Sequence, residues 1–375
     1  MIIDDPAQQE KLKQAELKKQ VLKKEVLGDI SVVIQGKAFG IPGEPYAQQL
    51  TQQCIDSIRK LIPQAEIIIS TWKGSVVDHF AVDKVILNDD PGAVTYSDLT
   101  PGFYNNNNRQ IVSTYNGLKA ATKKYAIKMR GDCKLMDTDF TDHLKESPRS
   151  EKFKFFKQRI VIPTKYSRNP RRIAQLIHPS DIFQVGLRED LVNLWDIPLQ
   201  PEPETTRAIP ANKNIFNNAL TGGFHRMKFG AEQYNWYTYC KKQGVDFELK
   251  HYSHIPASVI VDSEWSLMNN FIIEDAYSLG VILPKRMYIS VDKNLYTHNE
   301  WFKLSRKYSR GISLAFKWQF IFEVYLSNVS RIAWRIGHRI SKYGVKDFLK
   351  TFNKYIAGVK PNINLNEKRI YTGSR

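Results

Sequence analysis

Short apolar runs alternate with helical patterns over the first 130 residues, and this alternation constrains the fold more than any other feature of the sequence. The runs have the length and composition of buried strands. They are Ile30–Gln35, Ala65–Ser70, Asp83–Leu87 and Tyr125–Met129. The residues between them, 45–61 and 107–122, carry apolar side chains at helical spacing. The alternation predicts an α/β fold with a mostly parallel, Rossmann-type sheet flanked by helices.

The loops that follow these strands are the first candidates for a binding site. In an open parallel sheet, ligands bind beyond the carboxyl ends of the strands. We therefore expect one shared rim of the sheet to carry the loops at residues 35–45, 70–73, 88–92 and 130–137.

The pattern is less regular after residue 150. Strands are predicted over Lys152–Pro163 and Asp181–Val185, helices over residues 187–195 and 230–243, and a loop over residues 198–214. The predicted organisation is a charged peripheral helix at residues 1–28, an α/β domain at residues 29–298, and a helical, basic, amphipathic C-terminal extension at residues 299–375.

Basic residues are concentrated in the C-terminal tail. The formal net charge is +17, and residues 301–375 contain 16 Lys and Arg residues against three acidic ones. An excess of this size predicts an anionic partner. The first 300 residues are nearly balanced, and the sequence has no zinc-finger spacing, RNA-recognition signature or basic zipper. An anionic membrane surface is therefore the expected partner, and no nucleic acid is expected.

A regular stripe of basic residues supports this expectation. It consists of Arg331, Arg335, Arg339, Lys342, Lys346 and Lys350. Such a stripe is typical of a helix that lies in the membrane interface with its basic side towards lipid headgroups. The alternative is a basic helix that packs on the α/β domain through its apolar face.

Cysteine usage and the N-terminus bear on the compartment. Cys54, Cys133 and Cys240 are too widely spaced for a disulfide framework or a metal knuckle. The first residues lack the apolar stretch of a signal peptide, and no segment offers about 18 uninterrupted apolar residues. The expected location is the cytoplasm, at the inner face of the membrane.

Two charged residues stand where the fourth predicted strand ends. A carboxylate just past a buried strand, here Asp132, can hold a divalent cation that also binds diphosphate oxygens. The cation would offset the negative charge that develops on a leaving nucleotide. Arg130 is the candidate for orienting phosphate. The alternative is an ordinary surface turn, because Gly-Asp is a common turn dipeptide.

A second polar motif, Asn105–Gln110, precedes a predicted helix. Asn is a strong helix cap, and free backbone N–H groups at a helix N-terminus bind anions. Asn108 and Arg109 are therefore candidates for contact with a nucleotide, and Ser113 and Asn116 share the polar face of the helix. The alternative is a capped helix with a solvated face.

Several segments, taken in their order and spacing, resemble the WavE family of lipopolysaccharide core-synthesis proteins. They are Ile30–Gly36, Pro63–Trp72, Asp90–Gly92, Asn108–Thr114, Asn116–Lys119 and Tyr125–Asp132. The resemblance is strong over residues 30–135, weaker to about residue 280, and not visible in the basic tail.

The resemblance implies a GT-A-like glycosyltransferase, with a nucleotide-binding part at residues 29–140 and an acceptor part at residues 141–298. Asp132 matches the last acid of the Asp-x-Asp motif, whereas Arg130 stands in place of the first. A divalent cation, Mg²⁺ or Mn²⁺, is the implied cofactor, and the charge of Arg130 is its alternative. The residues implied to line the nucleotide pocket are Gln35, Gly36, Thr71, Trp72, Asp90, Asn108, Arg109 and Arg130.

Sugar transfer also needs a base for the acceptor hydroxyl. An inverting transfer uses a carboxylate or an imidazole to accept that proton. Glu232, at the start of the predicted helix at residues 230–243, is the preferred candidate. His178, His225 and His251 are the alternatives.

Together these features predict a bacterial glycosyltransferase that moves a sugar from a nucleotide-sugar donor to a growing lipopolysaccharide or capsule glycan. The acceptor would be lipid-linked and would lie at the cytoplasmic membrane face. One alternative is a sugar nucleotidyltransferase, but the loop Gln35–Gly40 has few glycines and lacks the expected arginine. The other alternative is a non-catalytic scaffold that binds membrane or polysaccharide.

Overall fold

The computed structural model describes residues 6–95, 104–145, 147–201, 228–288 and 293–356. Its helices are α1 (Pro6–Gly28), α2 (Leu50–Leu61), α3 (Asn107–Ala120), α4 (Arg188–Trp195), α5 (Ala231–Lys242), α6 (Ala257–Asn270), α7 (His298–Ser309) and α8 (Leu314–Ile356). Its first strands are β1 (Ile30–Gln35), β2 (Glu66–Trp72), β3 (Lys84–Asn88), β4 (Val94–Thr95), β5 (Tyr104–Asn105) and β6 (Tyr125–Arg130). The later strands are β7 (Lys134–Leu135), β8 (Ile160–Pro163), β9 (Gln184–Leu187), β10 (Phe271–Glu274) and β11 (Val281–Ile282).

Seven strands form one sheet in the order β10-β8-β9-β6-β1-β2-β3. β1 pairs in parallel with β2 and β6, β2 pairs in parallel with β3, and β8 pairs in parallel with β10. β9 runs antiparallel between β6 and β8. The sheet is therefore mostly parallel and flanked by helices, as predicted, and it is compatible with a GT-A-like, Rossmann-type fold.

The strand directions define the rim that the sequence predicts. Six strands point the same way, so their carboxyl ends lie along one edge of the sheet. Because β9 is reversed, its first residues lie at that same edge. The loops after β1, β2, β3 and β6 therefore share the rim with the residues that precede β9 and with the end of β10.

Close packing holds α3 against the sheet below this rim. A Cβ atom at Gly117 would lie 2.5 Å from Cγ1 of Val33 and 2.9 Å from Cβ of Ser70. Only glycine fits at such a separation. Because α3 lies so close to the sheet, its polar face reaches the ends of β1 and β3. Two side chains of α3 form hydrogen bonds with those strands.

The predicted strand over Lys152–Pro163 is wrong for most of its length, since only β8 is extended with sheet partners. Phe153 adopts a left-handed backbone conformation with φ of 58°. Side chains from α6 bond the backbone instead of a neighbouring strand: Nδ2 of Asn270 donates to the carbonyl of Phe153 (2.6 Å), and Oδ1 accepts from the amide of Phe155 (2.9 Å). These bonds satisfy the backbone without a sheet.

The strand predicted over Asp181–Val185 begins further along the chain, at Gln184, as β9. The preceding residues are held by another contact, because the buried Lys128 ammonium donates to the carbonyl of Asp181. The helices predicted at residues 187–195 and 230–243 are confirmed as α4 and α5. The sequence did not predict α6 or the edge strand β10.

A buried carboxylate ties the helices after residue 298 to the body of the protein. Glu264 of α6 is fully buried and accepts hydrogen bonds from the hydroxyls of Tyr296 (2.7 Å) and Tyr308 (2.8 Å) and from the Arg171 guanidinium. Phe320 of α8 is also fully buried. The division of the chain at residue 298 stays a prediction, and residues 357–375 of the predicted tail lie outside the described residues.

α8 is long but not continuous. Gly344 interrupts it with φ of 83° and ψ of 161°, so two helical segments meet at a kink. In the parts of the chain that the structure describes, no helix combines the length and apolarity needed to cross a membrane.

Candidate functional site

The polar face of α3 is joined to the ends of the neighbouring strands. The hydroxyl of Ser113 donates to Oε1 of the buried Gln35, at the end of β1 (3.0 Å). Nδ2 of Asn116 donates to Oδ1 of Asn88, at the end of β3 (2.7 Å). The predicted helix face and the predicted loops are therefore brought together at the rim.

An ion pair lies at the start of α3, beside the end of β3. Nε and NH2 of Arg109 donate to the two carboxylate oxygens of Asp90, each at 2.7 Å. This two-point contact with Arg109 holds the pKa of Asp90 below its ordinary value, with help from the amide of Gly92, although partial burial opposes the shift. Both residues are partly exposed, so an incoming phosphate could compete for the guanidinium.

The other residues predicted to contact a nucleotide lie around the same edge. Gly36 follows β1 in the left-handed region, with φ of 92°. Thr71 is buried at the end of β2, whereas Trp72 is half-buried. Asn108 bonds to the backbone of Gln200: its Nδ2 donates to the carbonyl (3.1 Å) and its Oδ1 accepts from the amide (2.7 Å).

Asp132 lies between two arginines. Nε and NH2 of Arg130 donate to its two oxygens at 2.9 and 3.0 Å, and NH2 of Arg286 donates to Oδ2 at 2.5 Å. The Asp132 carboxylate is fully buried, whereas both guanidinium groups are partly exposed. Burial alone would raise the pKa of Asp132, but the bonds and charges of the two arginines outweigh it and lower the pKa.

This arrangement does not fit a resident cation at Asp132. Both oxygens already accept charged hydrogen bonds, and a cation would be repelled by two guanidinium groups. The arrangement fits an anion instead, because both arginine side chains are partly exposed. No catalytic step is therefore assigned to a metal ion at this residue.

Arg286 reaches Asp132 through a small two-stranded unit. β11 pairs antiparallel with β7, which begins at Lys134, shortly after Asp132. Gly280 precedes β11 with φ of 73°, and a Cβ atom there would lie 2.5 Å from the carbonyl oxygen of Asp137. The short helix Lys285–Met287 then places Arg286 over the rim.

Glu232 lies in a second cluster of ionisable groups. It is in the first turn of α5, where the helix N-terminus favours a negative charge. Its Oε2 is 3.7 Å from Nε2 of His178. The Glu232 side chain is 19% exposed and that of His178 is 2% exposed, so Glu232 is the more accessible of the two to an acceptor hydroxyl.

Burial perturbs every group of this cluster. It raises the pKa of Glu232. Burial and the nearby charge of Glu232 raise the pKa of Asp181 to about 6. Burial lowers the pKa of His178 to about 3, and the positive charge of Arg168 adds to that shift. His178 is thus neutral at working pH, and its Nδ1 lies 3.0 Å from the carbonyl of Tyr166.

The two clusters adjoin through β6. Lys128 and Arg130 are two residues apart in this strand, so they lie on the same face. Burial lowers the pKa of Lys128 to about 8, although the charge of Asp181 opposes the shift. The charge of Arg130 in turn acts on Asp181. The rim therefore combines two partly exposed arginine side chains with a carboxylate suited to accept a proton.

One comparison identifies the family. The WavE lipopolysaccharide synthesis family matches residues 30–337, most of the chain. The chain belongs to the WavE family. No curated protein matches the sequence. Family membership associates the chain with lipopolysaccharide biosynthesis.

The WavE match covers all the rim residues described above. It also extends to residue 337, well past the end of the resemblance that the sequence shows by itself. Sequence reasoning missed three members of the site: Lys128, Asp181 and Arg286. Only Lys128 carried a signal, as a charged residue inside an apolar strand. Of the alternative bases, His225 lies outside the described residues, and His251 is buried beside His254.

Proposed function

We propose that this WavE-family chain is a glycosyltransferase that moves a sugar from a nucleotide-sugar donor to a growing lipopolysaccharide or capsule glycan. The supporting observation is that Asp132 holds the partly exposed side chains of Arg130 and Arg286. These arginines lie on the same rim of the sheet as Glu232. Two guanidinium groups suit the binding of a diphosphate. A carboxylate with a raised pKa suits a base that takes the proton of the acceptor hydroxyl.

In the proposed reaction, Glu232 accepts the proton of the acceptor hydroxyl. The hydroxyl oxygen then bonds to the anomeric carbon of the sugar, and the bond between that carbon and the phosphate oxygen breaks. The nucleotide diphosphate leaves with the electron pair, and Arg130 and Arg286 stabilise its charge. Arg109 and the ends of β1 and β3 would hold the nucleoside part of the donor.

A panel of UDP-, GDP-, CMP- and dTDP-linked sugars tests this function. A donor that binds the native state raises the apparent unfolding temperature. A transferase slowly releases free nucleotide from its donor even without an acceptor. A sugar nucleotidyltransferase would consume the nucleoside triphosphate instead, and a scaffold would do neither. Absence of both binding and hydrolysis across the panel would reject the proposal.

Arg109→Ala tests whether this side chain contacts the nucleotide. The substitution removes a guanidinium that Asp90 holds in place without fully covering it. We expect the donor KM to rise at least about tenfold, with a much smaller change in the acceptor KM. Arg59, which is equally exposed and pairs with Asp83 away from the rim, provides a control as Arg59→Ala. Equal effects on both substrates, or none, would assign Arg109 to a solvated face.

The pH profile of transfer tests the base. Transfer requires ionised Glu232, so activity falls as protonation increases with decreasing pH. Because burial raises the pKa of Glu232, the fall in kcat/KM should be centred above the ordinary glutamate value of 4.5. A wild-type midpoint at or below 4.5 would contradict the assignment.

We also propose that α8 binds the enzyme to anionic lipid, where a lipid-linked acceptor would be found. One face of its first half packs on the body of the protein, and the other exposes apolar side chains at a spacing of three or four residues. These are Leu314, Trp318, Phe322, Leu326 and Val329. The basic stripe follows on α8, although the Arg331 guanidinium donates to the carbonyl of Arg172 on the body of the protein and the kink at Gly344 separates Lys342 from Lys346. Apolar insertion and headgroup charge together favour an anionic bilayer.

The lipid proposal predicts co-sedimentation with anionic vesicles that weakens as salt rises. Each basic residue near such a surface contributes about 1 kcal/mol, so replacing Lys342, Lys346 and Lys350 with Gln should weaken binding by roughly 100-fold. Replacing the exposed Lys13, Lys18 and Lys24 of α1 changes the net charge equally and provides the control. Equal loss in both triple variants, or no vesicle binding at all, would refute this role.

A further inference from the structure

Three potential metal ligands meet at the edge strand of the sheet. Glu274 is the last residue of β10, His298 is the first residue of α7, and His143 ends the short helix Asp139–His143. One side-chain ligand atom from each lies within 4.8 Å of those from the other two. Oε2 of Glu274 is 2.7 Å from Nδ1 of His298 and 3.7 Å from Nε2 of His143.

Neighbouring contacts fix the positions of these side chains. The carbonyl of Glu274 accepts from the amide of Thr164, and Oε1 accepts from the amide of Asp275 (2.8 Å). A capping box between Thr297 and Glu300 sets the start of α7 immediately before His298. The ring of His298 also lies against Trp301, with ring centroids 5.3 Å apart. The three groups therefore converge on rigid elements, as a metal site requires.

We propose that His143, Glu274 and His298 bind a divalent transition-metal ion of the Zn²⁺ class. Two imidazoles and one carboxylate suit zinc, whereas Mg²⁺ and Mn²⁺ favour sets of oxygen ligands. Bonds of about 2.0–2.1 Å place tetrahedral ligands about 3.3 Å apart. Nε2 of His143 lies 3.7 Å from Oε2 of Glu274, slightly beyond that value. Nδ1 of His298 is hydrogen-bonded to the same oxygen (2.7 Å) and lies 3.1 Å from the carbonyl of Ile273, so a bound ion would replace the proton of this imidazole. Small side-chain rotations would bring all three onto one ion.

The proposed site is distinct from the Asp132 cluster and shares no residue with it. Its ligands come from three separate segments of the sequence. A bound ion would therefore link the end of β10 to α7 and to the residues after β7. Glu274 is mostly buried, whereas both histidines are partly exposed. The exposed side leaves room for water or another small ligand as the fourth partner of the ion.

Metal analysis of the full chain without a histidine tag tests the proposal. The protein is freed of metal with a chelator, equilibrated with Zn²⁺ alone, and separated from unbound ion. We expect one zinc per chain, with X-ray absorption showing nitrogen and oxygen ligands at about 2.0–2.2 Å. Zinc should also raise the unfolding temperature of the metal-free protein.

Substitutions locate the bound ion. His143→Gln and His298→Gln should each weaken zinc binding more than about 100-fold, since losing even an outer-shell partner costs 10–100-fold. His338→Gln, which removes an exposed imidazole from α8, should leave it unchanged. The metal-free variants should match the metal-free wild type in circular dichroism and unfolding temperature, which separates lost binding from lost folding.

Several outcomes would overturn the site. They are failure of the wild type to retain zinc, equal retention by the two histidine variants and the wild type, and sulfur ligands in the absorption spectrum. Because the readout is bound metal and not sugar transfer, the result is independent of whether the glycosyltransferase proposal is correct.

Discussion

Glu232→Gln is expected to lower the turnover of sugar transfer by at least about 100-fold, while donor binding stays nearly unchanged. The substitution keeps the shape of the side chain but removes its capacity to accept a proton. General-base catalysis contributes typically 10²- to 10⁴-fold, so the loss should fall in that range. The effect should appear in kcat and not in the donor KM, because Glu232 is assigned to the acceptor hydroxyl.

The structure favours Glu232 over the neighbouring imidazole. His178 is 2% exposed, and burial lowers its pKa to about 3, so it is a weak base. Glu232 is more accessible, and burial raises its pKa towards neutrality, which strengthens it as a base. The position of Glu232 in the first turn of α5 also fixes its backbone, so the carboxylate is presented from a rigid element.

A matched substitution checks that the loss is specific. Glu189→Gln removes an exposed carboxylate from the first turn of α4, which is an equivalent position on another helix. It should leave turnover within about twofold of the wild type. If Glu232→Gln retained most of its activity, the base would have to be a histidine, or the reaction would have to follow a retaining course without such a base.

The sheet strands and their helices in the first 130 residues were predictable because their pattern is local, whereas the two-residue strands β4 and β5 were not predicted. Each strand is a short apolar run, and each helix carries an apolar stripe, so hydrophobic periodicity alone identifies them. The parallel arrangement then places the loops at one rim, which is why Gln35 and Asp90 were expected near the polar face of α3. The contacts of Gln35 with Ser113 and of Asp90 with Arg109 agree with that reasoning.

The later part of the chain could not be predicted, because its structure depends on contacts between residues that are distant in the sequence. Residues 152–158 look like a strand, but Asn270, more than a hundred positions away, bonds to their backbone. Arg286 is 154 positions from Asp132, and no local pattern relates the two. Their meeting depends on the pairing of β11 with β7, two strands of two residues each that hydrophobic periodicity cannot detect.

These same contacts determine what Asp132 can do. The sequence presents it as a metal ligand, because a carboxylate after a buried strand suits a cation. In the folded chain it is the counterion of Arg130 and Arg286. A cation at Asp132 stays a prediction, and the arrangement instead supports a site where two guanidinium groups bind the donor diphosphate and Asp132 positions them.

Asp132→Ala is therefore expected to leave less than a tenth of wild-type turnover, a loss of more than about 1.4 kcal/mol of transition-state stabilisation. Without the carboxylate, the two guanidinium groups repel each other and turn towards solvent. The free energy of unfolding should fall by about 1–3 kcal/mol, because a buried acceptor of charged hydrogen bonds is lost. Turnover is measured at a temperature where circular dichroism shows the variant to be folded.

Arg286→Met separates the role of the arginines from the stability of the fold. The substitution leaves the ion pair between Arg130 and Asp132 intact. It removes only the Arg286 guanidinium, which follows β10 in the sequence. Loss of one donor that stabilises developing charge costs on the order of 100-fold in kcat, and that is the expected effect. Arg306→Met, at an exposed position in the last turn of α7, should have none. A folded Asp132→Ala protein with more than a tenth of wild-type turnover, or an Arg286→Met protein with unchanged kcat, would remove the guanidinium pair from the mechanism.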